Sequence, residues 1–297
     1  MLFIGLHMTK CAGTSLAMQI RNNLPSQQWY LCSGFRDMQK LGFVQLAERT
    51  EFDKLRIIFG HFVHDSLFSI AGERRVFLFT GIRSPVERAV SEFYHMCKIR
   101  RRLGRPALTA DEFFRQRKNT MCVEILRAFP TLAGEAAAPL STRAIEAAQM
   151  FDFVYETEDF ESSIEPVLRL LKIGDIAAIN ANVREISAQD DTLKSVEEEI
   201  RARCADHFAE DFLLYEYLKP HAGKMYPFGS SGAVSPKRRQ WETAMRARED
   251  GQARLSEHFA KHFVADYRNL GALDELNALL RRKQGWLDKL SEFASKA

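Results

Sequence analysis

The stretch Met1-Leu2-Phe3-Ile4-Gly5-Leu6-His7-Met8-Thr9-Lys10-Cys11-Ala12-Gly13-Thr14-Ser15-Leu16 decides the fold. A short apolar run, Leu2 to Leu6, is followed by a loop holding one cation, one glycine and two hydroxyls. A helical pattern then begins. Strand, tight loop, helix is the expectation. Amides at a helix N-terminus lack intrahelical partners and carry partial positive charge, so such a turn can hold an oxyanion. The order differs from a Walker-type phosphate loop, in which Lys follows the second Gly, because here Lys10 precedes Gly13. A strand followed by a Thr/Ser-capped helix is the plainer reading of the same residues.

Outward from this stretch, apolar runs recur at Leu55 to Phe59, Val76 to Ile82 and Phe151 to Tyr155, with a shorter one at Gln28 to Cys32. They are continuous rather than alternating, which indicates strands buried on both faces of a parallel sheet. Helical patterns stand between them at Ser15 to Leu24, Asp37 to Thr50, Pro85 to about Arg102 and Asp159 to Leu171. Shorter helical pieces fill 109 to 149, and one helical stretch runs from about Asp190 through Leu218. This alternation predicts a three-layer α/β fold. Ligands of such sheets sit beyond the carboxyl ends of the strands, which would gather Lys10, His61 and Arg83 in one crevice.

The chain has 297 residues, enough for one large domain or one with an appendage. The expected division is 1–220 as the main domain, 221–240 as a Gly/Ser/Pro-rich loop or flap, and 241–297 as a helical C-terminal extension packed on the same domain. A net charge of +3 is too small to argue for nucleic acid. No apolar window approaches the roughly 20 residues needed to cross a bilayer. Five scattered cysteines show neither zinc spacing nor a disulfide framework, so reduced thiols in a cytoplasmic protein are expected. The basic run Lys98 to Arg105 reads either as a solvated helix end or as a rim attracting an acidic acceptor.

The second informative cluster is Gly81-Ile82-Arg83-Ser84-Pro85-Val86-Glu87-Arg88-Ala89-Val90-Ser91. Arg83 directly follows a buried run and offers a planar fork suited to phosphate oxygens. Ser91 lies about two helical turns on. A salt bridge for Arg83 and a small helix position for Ser91 are the plain alternatives.

Together these segments resemble the sulfotransferases, especially the carbohydrate (heparan/chondroitin-type) branch. His7 to Leu16 resembles that family's H-I-P-K-T-A-G-T-S-L loop, and Arg83 to His95 its R-D-P-V-E-R…S-x-Y-Y-H segment. Gly60-His61-Phe62 resembles its G-H-F, Glu156 to Leu171 its T-E-R-F-E-E-S-L helix, and Asp211 to Leu218 its D-x-x-L-Y ending. The likeness covers roughly residues 2 to 218. Met8-Thr9, Cys11 and Ser84 depart from the pattern. The resemblance implies a three-layer P-loop-type fold and binding of 3′-phosphoadenosine 5′-phosphosulfate (PAPS). The loop Lys10, Cys11, Ala12, Gly13, Thr14 and Ser15 would bind its 5′-phosphosulfate, and Arg83 with Ser91 its 3′-phosphate. 3′-Phosphoadenosine 5′-phosphate (PAP) would be the product, with no metal.

The expected reaction is sulfuryl transfer to an acceptor hydroxyl, on a carbohydrate by family resemblance. Lys10 would stabilise the leaving phosphate. His61 is chosen as general base, since imidazole titrates near neutrality, with His64 and His7 as competitors. Lys237 and Arg238 read either as a basic flap over the nucleotide or as a solvated charge run. The alternatives are a P-loop nucleotide or small-molecule kinase, disfavoured by the missing Gly-Lys-Ser/Thr order, and a non-catalytic binding protein. The absence of room for an anchor before the first strand favours a cytosolic, bacterial setting.

Overall fold

The computed structural model describes residues 1–31, 52–132, 137–174, 191–225 and 236–248, together with Arg254 and His258. The helix expected over Asp37 to Thr50 lies outside these residues, as does 226–235, the middle half of the Gly/Ser/Pro-rich segment.

Five strands form one parallel sheet in the order β2-β3-β1-β4-β5. They are β1 (Leu2–Leu6), β2 (Trp29–Leu31), β3 (Ile57–Gly60), β4 (Val76–Ile82) and β5 (Phe153–Glu156). The helices are α1 (Gly13–Asn23), α2 (Leu67–Ile70), α3 (Pro85–Arg102), α4 (Ala110–Gln116) and α5 (Thr120–Ala128). They continue with α6 (Leu140–Ala148), α7 (Phe160–Leu170), α8 (Asp191–His207), α9 (Ala209–Leu218) and α10 (Pro236–Arg246). The continuous apolar runs are buried on both faces as expected: every residue of β1 and β4 is buried.

Because strand side chains alternate, each run feeds two cores. Leu2, Ile4, Leu6, Ile58, Leu78 and Val154 face one side, where Phe68, Phe129, Trp241 and Met245 cover them. Phe3, Phe59, Phe77, Phe79, Phe153 and Tyr155 face the other, against Leu16 and Ile20 of α1 and Ile164 and Val167 of α7. This is the three-layer α/β fold the alternation predicts. A third cluster joins α3, α4 and α8 through Val90, Phe93, Phe113, Ile200 and Phe208.

The helix expected through Leu218 breaks at Phe208, which is buried in that third cluster and separates α8 from α9. Two long-range caps fix the second piece. Asp211 accepts from the amides of Met121 (3.0 Å) and Cys122 (2.9 Å), closing the start of α5. Asn119 in return accepts from the amides of Glu210 and Asp211 at the start of α9. Each helix thus satisfies orphan donors of the other.

Helix α10 crosses the boundary expected at residue 240 and joins the first core through Trp241 and Met245. Its Arg238 corrects a sequence reading. Instead of closing over a nucleotide, the side chain is buried beneath the opposite end of the sheet. It donates to the carbonyls of Met150 (2.8 Å) and Val76 (3.1 Å) and pairs with Asp152 at 2.6 Å. Val76 begins β4 and Met150 precedes β5, so Arg238 lies at the amino ends of the strands. Lys237 is exposed, 3.8 Å from Glu146.

Candidate active site

The carboxyl ends of β1 and β3 are level, Leu6 facing Gly60, while β4 runs two residues past Thr80, its own partner of Leu6. The strand order reverses around β1, so the loop that leaves it sits at the switch point where α/β sheets bind ligands. Lys10, His61 and Arg83 all leave the sheet at this end.

The loop after β1 has a strained backbone. Lys10 (φ 68°) and Ala12 (φ 54°) both adopt the left-handed conformation, which costs a non-glycine residue about 1–2 kcal/mol. Neighbours hold it in place. The Thr9 amide donates to Glu124 Oε2 (2.7 Å), the Cys11 amide to Met8 O (3.2 Å), Tyr155 Oη to Cys11 O (3.0 Å) and Arg83 Nη1 to Lys10 O (3.2 Å). Helix α1 then starts with no side-chain cap and no acid in its first turn. Among the described residues, the amides at this helix start therefore lack the Thr/Ser side-chain cap of the plainer reading.

Cys11 does not share this role. Its amide and carbonyl are used within the fold, its thiol lies 3.7 Å from Thr9 O, and the residue is buried. Burial pushes the thiol well above its ordinary range, so it is a packing residue rather than a donor or nucleophile.

Gly13 is required by a close approach. A Cβ there would lie 1.9 Å from the His7 ring. That ring cannot retreat, being stacked on Phe59 (5.3 Å between centroids) and on His61 (3.9 Å). Gly13→Ala is therefore expected to lower stability by about 1–3 kcal/mol. Denaturant unfolding of wild type and variant checks the effect.

The two histidines after β3 are set in opposite tautomers. His61 Nδ1 lies 2.7 Å from the carbonyl of His7, which can only accept, so Nδ1 carries the proton. The neutral ring then has its lone pair on Nε2. His64 Nδ1 instead accepts the Ser66 amide at 3.1 Å, and its ring packs against His258 at 4.3 Å. Its neutral form holds the proton on Nε2. His7 is buried, and burial, followed by His61 and Lys10, keeps its pKa well below the ordinary imidazole value. It serves as a neutral wall.

Arg83 has the ion-pair partner that its plain reading asks for: Nε is 3.7 Å from Glu158, whose Oε1 also accepts the Ser84 amide at 3.3 Å. Burial pushes the Glu158 carboxyl up, against the pull of those amides and Arg83. Ser91 is half-buried on the second turn of α3.

Lys10 is pulled down by burial first, while Glu92 opposes and Arg83 and Lys98 add repulsion. His95, although exposed, is pushed down to about 4, by partial burial first and then by Lys10, with Glu92 opposing and His61 and Lys98 adding smaller pushes. Lys10, His61, His95 and Lys98 thus share one electrostatic neighbourhood. Glu92 is spent on Arg88 (2.7 Å) and Arg117.

Sequence reasoning missed Tyr155, Glu124, Glu158 and His95. The first three act through contacts with distant residues and leave no local signal. His95 did leave one, since it stands four residues after Ser91, on the same helix face.

An uncapped helix start at the switch point, with Arg83 following a buried strand and a tautomer-fixed His61 leaving the same end of the sheet, is an arrangement that could hold an oxyanion group. The family model described as "Sulfotransferase family" matches residues 6–218. The chain belongs to the sulfotransferase family. No curated protein matches it.

Proposed function

We propose that the protein transfers the sulfuryl group of PAPS to a hydroxyl of a carbohydrate or glycoconjugate, with His61 as general base and Lys10 stabilising the leaving phosphate. The observation that carries this reading is the hydrogen bond from His61 Nδ1 to His7 O, which leaves Nε2 able to take a proton at the mouth of the crevice. As the acceptor oxygen bonds to sulfur, His61 Nε2 takes its proton. The sulfur–oxygen bond to the phosphate breaks, and Lys10 meets the charge that stays on that oxygen. The amides of Gly13, Thr14 and Ser15 hold the 5′ end. Arg83 and Ser91 take the 3′-phosphate, which requires Arg83 to exchange its distant contact with Glu158 for the ligand. The carbohydrate acceptor rests on the likeness of the loop and of the Arg83 segment to that branch of the family.

Lys10→Ala is expected to lower kcat about 10²–10³-fold in a PAPS-consuming assay with hydroxyl acceptors. Undiminished turnover would remove Lys10 from the mechanism. The lowered pKa of Lys10 sets a pH signature. The ammonium binds the anion and the free amine does not, so PAP affinity falls as pH rises, starting below the ordinary lysine range. Lys10→Ala abolishes that part of the profile.

A further inference from the structure

The loop from His61 to Ser66 joins β3 to α2, and it carries a buried acid that the mechanism above does not use. Phe62 and Val63 fill the first core, as a loop crossing that face requires. Asp65, fully buried beside them, differs in kind. A carboxylate out of water is costly unless donors and a cation meet it. Once met, it fixes direction as an apolar side chain cannot. Asp65 therefore reads as a pin for the loop rather than as filling.

Its donors come from other elements. Asp65 Oδ2 accepts from Thr131 Oγ1 at 2.6 Å and from the Thr131 amide at 3.3 Å, in the short turn Pro130–Leu132 after α5. The Asp65 amide donates to Ala128 O at 2.8 Å. Thr131 is in turn addressed from α10: Trp241 Nε1, which can only donate, reaches Thr131 Oγ1 at 2.8 Å. The hydroxyl thus accepts from the indole and gives its one proton to the carboxylate, a chain in which each bond strengthens the next. The cation is Arg254, whose Nη2 lies 3.3 Å from Asp65 Oδ1. His64 Nδ1 is 3.2 Å from the same oxygen, but it already accepts the Ser66 amide and so is no donor to the carboxylate. His258 packs on the His64 ring. Trp241, Arg254 and His258 all lie beyond residue 218, where the family match ends.

We propose that Asp65 is a positioning residue for His61, held by Arg254 and, through Thr131, by Trp241, so that the C-terminal segment completes the site by setting its base. The inference rests on the reading of His61 as general base. β3 fixes the loop at Gly60, in register with Leu6, and Asp65 fixes it five residues on. Between these anchors stands His61, whose bond to His7 O and stack on the His7 ring both depend on where the loop runs. Loosening the second anchor lets the imidazole turn away from that carbonyl, and the proton on Nδ1 then loses its fixed place.

The test combines nitrogen NMR of the His61 ring with turnover, on the full chain. In the wild type the neutral ring should carry its proton on Nδ1. Arg254→Ala is expected to move part of the population to the Nε2–H form and to lower kcat about tenfold, with PAP affinity unchanged. Arg254→Lys should restore most of both. Thr131→Val, which removes the hydroxyl and keeps the branched shape, should act in the same direction. Arg246→Ala is the control. That side chain ties the same segment to the carbonyls of Gly72 and Arg74, at the turn before β4, so its loss should lower the unfolding midpoint without moving the tautomer or kcat. An unchanged His61 tautomer in both Arg254→Ala and Thr131→Val would overturn the proposal, whatever their stability. So would an equal shift in Arg246→Ala, which would make the effect one of general loosening. A shifted tautomer with full turnover is a different result: it refutes His61 as the base, and the catalytic role of Asp65 with it.

Discussion

His61→Ala is expected to cut turnover by about 10²–10⁴-fold while leaving PAP affinity near its wild-type value. On the proposed mechanism, the loss follows from removing the lone pair on Nε2, which the bond from Nδ1 to His7 O leaves free of a proton. Because the His61 ring also stacks on His7, the alanine variant carries a packing change. His61→Gln provides the control: its amide can donate to the same carbonyl yet cannot take a proton. Both variants should lose kcat, with the glutamine variant unfolding closer to the wild-type midpoint than the alanine variant. Full turnover in either would make the base assignment wrong. His64 offers no simple substitute, since its Nδ1 is engaged by the Ser66 amide and its ring faces His258.

Arg238→Ala is expected to cost about 3–5 kcal/mol of stability, because it leaves the Asp152 carboxylate buried without its cation. Asp152 would keep only the Leu78 amide at 2.7 Å. Even with Arg238 present, burial already pushes the Asp152 carboxyl up. In the variant that push goes unopposed, and the folded state favours the protonated acid. A raised carboxyl pKa costs nothing below the ordinary carboxylate range, where the group is protonated folded or unfolded. The deficit therefore opens as pH rises through that range and is complete above the raised value. Urea unfolding of wild type and variant across the acid range checks the sign. PAP affinity of the folded variant should be unchanged, whereas a flap residue would lose it.

Most of the layered architecture was legible because it rests on local patterns. Val76 to Ile82 has no polar alternation, and it is a strand buried throughout. Pro85 opens α3 as a first-turn proline would. The anion loop was legible from Lys10, Gly13 and the two hydroxyls, but its mechanics were not. That Lys10 and Ala12 would both be left-handed depends on Tyr155, Glu124 and Arg83 holding the loop from other elements. Cys11 entered the binding loop only through the family resemblance, and its amide, carbonyl and thiol are all used within the fold.

Arg238 does not serve as a flap residue for a related reason. A charge run gives no sign of which cation will find a buried carboxylate, and Asp152 is distant in sequence. The break at Phe208 was equally hidden, since an apolar residue in a helical pattern reads as core on either side of a kink. His95 was visible in the resemblance to the family and was given no role. Its place beside Lys10 and Lys98 becomes apparent only when α3 is set against the loop.

The central claim is that the cradle at Gly13 to Ser15, with Lys10, reads one end of a nucleotide while Arg83 and Ser91 read a phosphate on its 3′ side. Calorimetry of the wild-type chain with PAP and with ATP tests it most directly. PAP should bind, and ATP, which has no 3′-phosphate, should bind far more weakly. Tight binding of ATP with no binding of PAP would contradict the account.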